Sequence, residues 1–515
     1  MTASEATLGE GTSQVRRTPA DLRRIAREEW AADHAQAAVA AAWAAYDKQP
    51  DDRDGKRLLA DLLRRYPDQV GAEREGALLR LLGDPQIDPN HLNTAGWRLA
   101  RRGATEWQDD GNDAGFDALA AHVDHDDLSR TLLRESPVLD RTVERTLTRL
   151  RRWLLISGRW PHYPRLVDAL REQAILNGGA WPFDDAEREL LDASAGSPIV
   201  TVYLPVRPTG RKSDGGNTDD AVTRAVRMQY ERWPYPPWRR ITVGNSMRFP
   251  DWIRRHDPDG PAGIPIDANV LIAGCGTGRE AAKVALRFPQ TRVTAIDISE
   301  TSLDYARRQC AQVGATNIRF VRLDLHDCGQ LGERFDAIYC AGVLHHLPDP
   351  EKGWAALEAV VRPGGVMIIM VYSRISRFRV IAARHVLRDL ATEPMTDDLL
   401  RRVRGKIMEH ADHPAARVLM NSGDFSTLAG AHDLLVHSHE DPFDIPRISR
   451  ALDRLGLGLI GILFPTVDAE ARYDARFPHD PRHRDPAAWA QFEKSEVARR
   501  ATRYTFLCRK PLHAP

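Results

Sequence analysis

From Pro19 to about residue 200 the apolar positions recur at helical spacing. The stretch from Thr18 to Trp30 places a hydroxyl at a candidate N-cap and a proline at the first helical position. Further helical patterns fall near residues 56–66, 72–82, 90–102 and 114–123. The clearest is the stripe Val143, Leu147, Leu150 and Leu154, at i, i+4, i+7 and i+11, which predicts one buried face of an amphipathic helix. Little before residue 195 reads as strand. Residues 19–200 are therefore predicted to be all-helical, after a small, polar, disordered tail at 1–18. No repeat of 34 or 40 residues recurs.

The texture changes after a polar, glycine-rich stretch at 206–220, part of a linker placed at 201–220. Residues 221–262 hold a segment rich in aromatics and prolines. Strands and helices then alternate: strands at Val270–Ala273, Arg292–Ile296, Ile318–Leu323, Ala337–Cys340 and Val366–Tyr372, with helices at 278–287, 301–312 and 351–361. That alternation predicts a doubly wound α/β sheet over 263–512. A charged helical insertion interrupts it at about 375–450. Two late strands, near 458–464 and 502–508, are expected to form a hairpin at the edge of the sheet.

Composition narrows the class. The 515 residues carry 72 basic and 72 acidic side chains, a formal net charge of zero, with 42% apolar residues. This is the balance of a folded soluble chain, and it argues against a nucleic-acid or membrane-surface partner, which would call for a basic excess. Residues 140–165 are locally basic, with seven arginines against Asp140 and Glu144. A solvated helix face is the first reading of this run and an anionic partner the second. Five cysteines, none in a CxxC pair, suggest neither a disulfide framework nor a zinc site. No signal peptide or membrane span is visible, so a cytoplasmic location is expected.

The chemistry concentrates in Val270-Leu-Ile-Ala-Gly-Cys-Gly-Thr-Gly-Arg-Glu280. An apolar strand runs into Gly274, Cys275, Gly276, Thr277 and Gly278, where a backbone without Cβ atoms can approach a ligand. The next strand ends in Asp297, 19 residues after Gly278, where a carboxylate can accept from ribose hydroxyls. The spacing GxGxG departs from the GxGxxG that seats a pyrophosphate, and no GK[ST] follows a glycine loop. A ligand with ribose and adenine but no phosphate fits best.

Residues 265–375 resemble a class I S-adenosylmethionine-dependent methyltransferase core. Gly274–Gly278 matches that superfamily's first motif and Asp297 its ribose-binding acid. The resemblance implies that Ile298 touches adenine and that Asp324 with Leu325, in RLDLHD, recognises the adenine amino group. FDAIYCAGVLHHLPDP and Arg362-Pro-Gly-Gly365 match later motifs. Outside the core, Met228-Gln-Tyr-Glu-Arg-Trp-Pro-Tyr-Pro-Pro-Trp238 is similar to the YExxPYPxW segment of bacterial tetratricopeptide-repeat-type methyltransferases. Asp424-Phe-Ser and Asp433-Leu-Leu-Val-His-Ser-His-Glu440 resemble a later segment of the same group. Here His432 stands where that group has arginine, and no repeat is recognisable.

Methyl transfer needs an in-line nucleophile and exclusion of water, and a base only if the nucleophile arrives protonated. His345 and His346, after the fourth strand, are candidate bases or pocket-shaping residues. Tyr230, Tyr235 and Trp238 either cap the cofactor or anchor the linker; Tyr230 is a candidate catalytic group and Tyr235 a candidate cofactor contact. His437 and Glu440, three apart, are candidates to share a face and act on substrate, against the alternative of a solvated turn. A metal cluster of His437, His439 and Glu440 lacks further ligands of suitable spacing, so no metal is expected. Asn-Pro-Pro-Tyr is absent, which lowers DNA adenine and glutamine amide as acceptors.

The expectation is thus an all-α N-terminal domain followed by a Rossmann-like, seven-stranded class I methyltransferase domain that uses S-adenosyl-L-methionine. The acceptor expected is an O or N nucleophile of a peptide or protein, with a small metabolite or natural product as the close rival. A non-catalytic, cofactor-binding scaffold is the alternative of another class. The helical domain is a candidate for docking substrate, covering the site or forming a homodimer.

Overall fold

The computed structural model describes residues 17–107, 111–205, 220–260, 263–386, 395–464, 467–495 and 503–512. The expected tail at 1–18 and linker at 201–220 fall largely outside these residues. From Pro19 to Thr201 every described regular element is helical. Thr18 caps the first helix, Pro19–Ala31, in a reciprocal capping box with Asp21. Val143, Leu147, Leu150 and Leu154 are all fully buried on Arg141–Ser157, packed with three tryptophans, Trp43, Trp97 and Trp181, in one helical core. Gly158, with a positive φ of 68°, ends that helix.

Seven strands form one sheet: β1 (Asn269–Ala273), β2 (Arg292–Asp297), β3 (Ile318–Arg322), β4 (Phe335–Ala341), β5 (Val361–Tyr372), β6 (Gly458–Leu463) and β7 (Arg503–Arg509). Their order is β3-β2-β1-β4-β5-β7-β6, with β7 antiparallel to both neighbours and the remaining pairs parallel. β1 is buried throughout its length, as a central parallel strand must be. The order reverses between β1 and β4, so the carboxyl ends of β1, β2, β4 and β5 open onto one crevice. The two late strands pair at the sheet edge as expected, but the connection between them carries the helices Val467–Arg476 and Pro486–Phe492 and is no tight turn.

Between β5 and β6 lie the helices Arg374–Val386, Asp397–Glu409, Pro414–Met420, Leu428–Val436 and Ile445–Leu455. The N-terminal helices grip this insertion through buried arginines. Arg404 donates to Glu144 at 2.8 Å and to the Ala180 carbonyl at 2.6 Å, and Arg141 donates to the Met420 and Ser422 carbonyls. The same helices hold the segment before the sheet: Arg239 reaches Glu172 at 2.6 Å, Arg240 pairs with Glu135, and Arg279 of the core pairs with Asp88.

These contacts correct the reading of the basic run at 140–165 as simply a solvated face. Arg145 and Arg149 are exposed, but Arg151 is 1% exposed, with its guanidinium 3.7 Å from the Tyr203 ring centroid, and Arg141 reaches into the insertion. Burial of the apolar stripe turns the flanking arginines against neighbouring helices, where internal carboxylates and carbonyls receive them.

Candidate active site

The glycine turn follows directly from β1. Gly276 has φ +51°, and a Cβ there would lie 2.8 Å from the Tyr235 carbonyl oxygen, so only glycine fits. The Gly276 N–H donates to Asp297 Oδ2 at 2.7 Å and the Ser299 N–H to Oδ1 at 2.9 Å. Each carboxylate oxygen thus keeps a lone pair for a further donor. Burial raises the Asp297 carboxyl to about 6, against the two N–H bonds that lower it. Cys275 is buried, and burial lifts its thiol well above the usual range, so it acts as a small apolar residue. Thr277 is fully buried and donates its hydroxyl to the Pro236 carbonyl at 2.6 Å.

Asp324, after β3, takes both the N–H and the ring of His326 on Oδ1, leaving Oδ2 without a bond among the described residues. Leu325 beside it is buried, and Ile298 after β2 is half-buried. Two carboxylates at the ends of β2 and β3, with a glycine turn between strand and helix, suit ribose hydroxyls, an adenine amino group and a close backbone approach. The residues expected for S-adenosylmethionine therefore fit it.

Each residue of the aromatic segment has a partner. Tyr230, on the Ala221–Arg232 helix, donates to Asp433 Oδ1 at 3.0 Å. Glu231 accepts the Glu300 and Thr301 N–H groups at 2.8 and 3.1 Å, capping the helix after β2. Tyr235 donates to Asp424 Oδ1 at 2.6 Å. Trp238 donates its indole N–H to the Thr277 carbonyl at 2.9 Å, while Tyr305 donates to the Trp238 carbonyl at 2.7 Å. These contacts anchor the segment: Trp238 and Thr277 lock it onto the glycine turn, and the two tyrosines bond to the insertion.

The histidines divide into distinct roles. His345 lies against Tyr372, ring centroids 4.0 Å apart, and its Nδ1 accepts the Tyr372 N–H at 3.3 Å. Burial drives its basicity far down, and it packs the end of β5. His346 donates Nδ1–H to the His439 carbonyl at 2.9 Å, which leaves Nε2 with a lone pair. Burial lowers His346 to about 4, so it is neutral at physiological pH. His437, stacked on His346 at 3.7 Å, is held neutral by burial and by His346.

His346, Asp433 and His437 bring ligand-type atoms within 4.8 Å of one another. The tautomers favour a proton path over a metal. His437 Nδ1 accepts the His439 N–H at 3.1 Å, so its Nε2 carries the hydrogen and points it at Tyr230 Oη, 3.1 Å away. Tyr230 passes its own hydrogen to Asp433. Burial and Asp424 push the Asp433 carboxyl up to about 7.

Glu440 does not share this work. Arg377 and Arg384 both bind it, so the expected pairing of Glu440 with His437 on one face is replaced by an ion-pair brace. His432 stacks on Trp233 at 3.8 Å and joins no ion pair among the described residues. Asp433 and Asp424 escape sequence reasoning as site residues. The available signal was Asp433 and His437 at i, i+4, one face at the end of the Leu428–Val436 helix.

The model for a family described as "Methyltransferase domain" matches residues 270–365. An uncharacterized protein of Synechococcus sp. is 40% identical over 31% of this chain and 39% of its own length. Trans-aconitate 2-methyltransferase of Deinococcus radiodurans is 36% identical over 20% of this chain and 38% of its own length. The chain thus spans about two fifths of the length of these two relatives. The structure of PKMT2 from Rickettsia typhi in complex with AdoHcy superposes with a TM-score of 0.40 at 15% identity, over 55% of each chain. Ubiquinone biosynthesis O-methyltransferase of Acinetobacter baylyi is 30% identical over 32% of this chain and 67% of its own length. With that extent of match and a site built for the cofactor, the chain belongs to the class I S-adenosylmethionine-dependent methyltransferase family.

Proposed function

We propose that the protein transfers a methyl group from S-adenosylmethionine to an oxygen or nitrogen nucleophile of a peptide or protein acceptor. The observation that carries this reading is the meeting of Tyr230, His346, Asp433 and His437, with Tyr230 on the segment whose Tyr235 carbonyl lies against Gly276. They come from three separate segments, two of which the N-terminal helices hold in place.

S-adenosylmethionine supplies an electrophilic methyl group on a sulfonium. Gly274–Gly278, Asp297, Ile298, Asp324 and Leu325 would hold it, and half-buried Tyr235, whose carbonyl lies against Gly276, would help exclude water. The protein's own chemistry is orientation and proton removal. Asp433 is the base, since its carboxyl titrates near neutrality, and the His437–Tyr230 chain keeps its Oδ1 supplied with a hydrogen bond. His346 offers Nε2 as an acceptor that orients the nucleophile.

A small metabolite is the second reading, favoured by the relatives named for trans-aconitate and for ubiquinone biosynthesis. Labelled S-adenosylmethionine, the purified chain and desalted lysate, with the small-molecule fraction added back, separate the two. Label in precipitable protein or peptide supports the first reading. Label confined to the small-molecule fraction supports the second.

A further inference from the structure

Asp433, buried, and Asp424, half-buried, each accept a tyrosine hydroxyl from one segment, and the described residues supply them no committed cation. Arg377 and Arg384 are the guanidinium groups nearby, and both are bound to Glu440; Arg384 also donates to the Asp433 and Leu434 carbonyls. His346 and His437 are neutral. What the carboxylates receive instead are hydroxyls: Tyr230 on Asp433, and Tyr235 with Ser422 on Asp424. Asp433 is 3% exposed, and its Oδ2 has no hydrogen bond among the described residues. His346, 5% exposed, brings an unpartnered Nε2 to the same volume. Tyr372, at the end of β5, faces Asp433 and Asp424 as well.

A buried carboxylate with a second carboxylate near it and no counter-ion is costly, and such a site is satisfied by a ligand that brings the positive charge. Tyrosine rings around it add attraction for a cation over their faces. A hydroxyl acceptor would satisfy one oxygen and leave the second charge uncompensated. Resting on the methyltransferase reading above, we infer that the methyl acceptor is an aliphatic amine, received as an ammonium group between Asp424 and Asp433.

The reaction then balances without any further reactant. The ammonium gives one proton to the Asp433 carboxylate, and the Asp424 side chain stays beside it as a second acceptor. The freed nitrogen lone pair forms the N–C bond while the methyl carbon's bond to sulfur breaks, its electron pair remaining on sulfur as a neutral thioether. The N-methylammonium product is again a cation, and Asp433 returns its proton to solvent. The same chemistry has a second source, because the cofactor carries an ammonium of its own at its methionine end, and the test must tell the two apart.

The full-length protein is first titrated with S-adenosylhomocysteine by calorimetry, then, when saturated, with n-butylammonium chloride and with butan-1-ol. The expected result is saturable n-butylammonium binding, at least tenfold tighter than butan-1-ol, and at least tenfold weakened in Asp433→Asn and in Asp424→Asn. Both variants are near-isosteric and keep a hydrogen-bond acceptor for the tyrosines. They should bind S-adenosylhomocysteine within threefold of the parent. Equal binding of the alcohol, no binding of either probe, or ammonium binding unchanged in both variants overturns the inference. A tenfold loss of S-adenosylhomocysteine affinity in the variants also overturns it, by giving the carboxylates to the cofactor. Failure of the parent protein to bind S-adenosylhomocysteine at all refutes the methyltransferase reading itself.

Discussion

Glu144 of the N-terminal helices and Arg404 of the insertion form an ion pair at 2.8 Å with neither side chain exposed to solvent. Arg141 completes the group, 2.7 Å from the other Glu144 oxygen. The pair ties the all-helical region to the elements that carry Asp424 and Asp433. Glu144→Gln leaves the buried Arg404 and the half-buried Arg141 without their carboxylate and is expected to cost about 3–5 kcal/mol. The check is the urea midpoint of the full chain, which should fall together with activity; an unchanged midpoint would show that the two regions are stabilised independently.

The relay through Tyr230 separates turnover from cofactor binding. Tyr230→Phe removes the hydroxyl between His437 and Asp433 while keeping the ring. Turnover is expected to fall roughly 10–100-fold, the scale of a lost proton-transfer contribution, with cofactor affinity within twofold of the parent. Steady-state rates and calorimetry read the two quantities separately, and a parallel loss of both would make Tyr230 a cofactor-binding residue.

The raised Asp433 carboxyl fixes a pH dependence with opposite signs for activity and stability. Asp424 and Tyr230 face it directly, with Arg377 and Arg384 as the flanking cations. As a base it works ionised, so turnover is expected to fall as pH drops below about 7. In the unfolded chain an aspartate titrates near ~3.9. The native state therefore binds this proton more tightly, and stability from this group is lost as pH rises from that value through about 7. Asp433→Asn should melt above the parent at pH 8 and close to it near pH 4, in thermal scans at matched ionic strength. A parent protein that melts higher at pH 8 contradicts the assignment.

Gly276 and Gly332 share positive φ but differ in surroundings. Gly276 has the Tyr235 carbonyl at 2.8 Å from the Cβ position, whereas Gly332, φ +67°, has open space there. Gly332→Ala is expected to cost only left-handed backbone strain, about 1 kcal/mol, and to leave cofactor affinity unchanged. Gly276→Ala should lose cofactor binding at least tenfold, because the Tyr235 carbonyl or the turn must move. Equal effects of the two changes on affinity would show that the close approach is irrelevant.

Much of the fold was legible because it is local. Apolar runs ending at glycine or aspartate marked the central strands within two residues at most ends, and the 143–154 stripe marked a buried helix face. The beginning of β5 was placed late, since Arg362-Pro-Gly-Gly365 reads as a turn although Val361 still pairs with Phe335. The proposed cofactor side is local in the same way: the glycine turn, Asp297 and Asp324 each sit at the end of a strand or within two residues of it. The acceptor side is not. Asp433 and Asp424 become site residues only when the insertion folds back over β4 and β5, and no spacing encodes that. Glu440 carried the right residue type beside His437, yet two arginines 56 and 63 residues away claim it.

The central claim is that Gly274–Gly278 and Asp297 form a working cofactor site. Isothermal titration of S-adenosylmethionine into the parent protein and into Asp297→Ala tests it most directly. One-to-one binding by the parent, abolished or weakened more than a hundredfold by the substitution, is the expected result. Binding of equal strength in both proteins would place the cofactor elsewhere and contradict the assignment of the pocket.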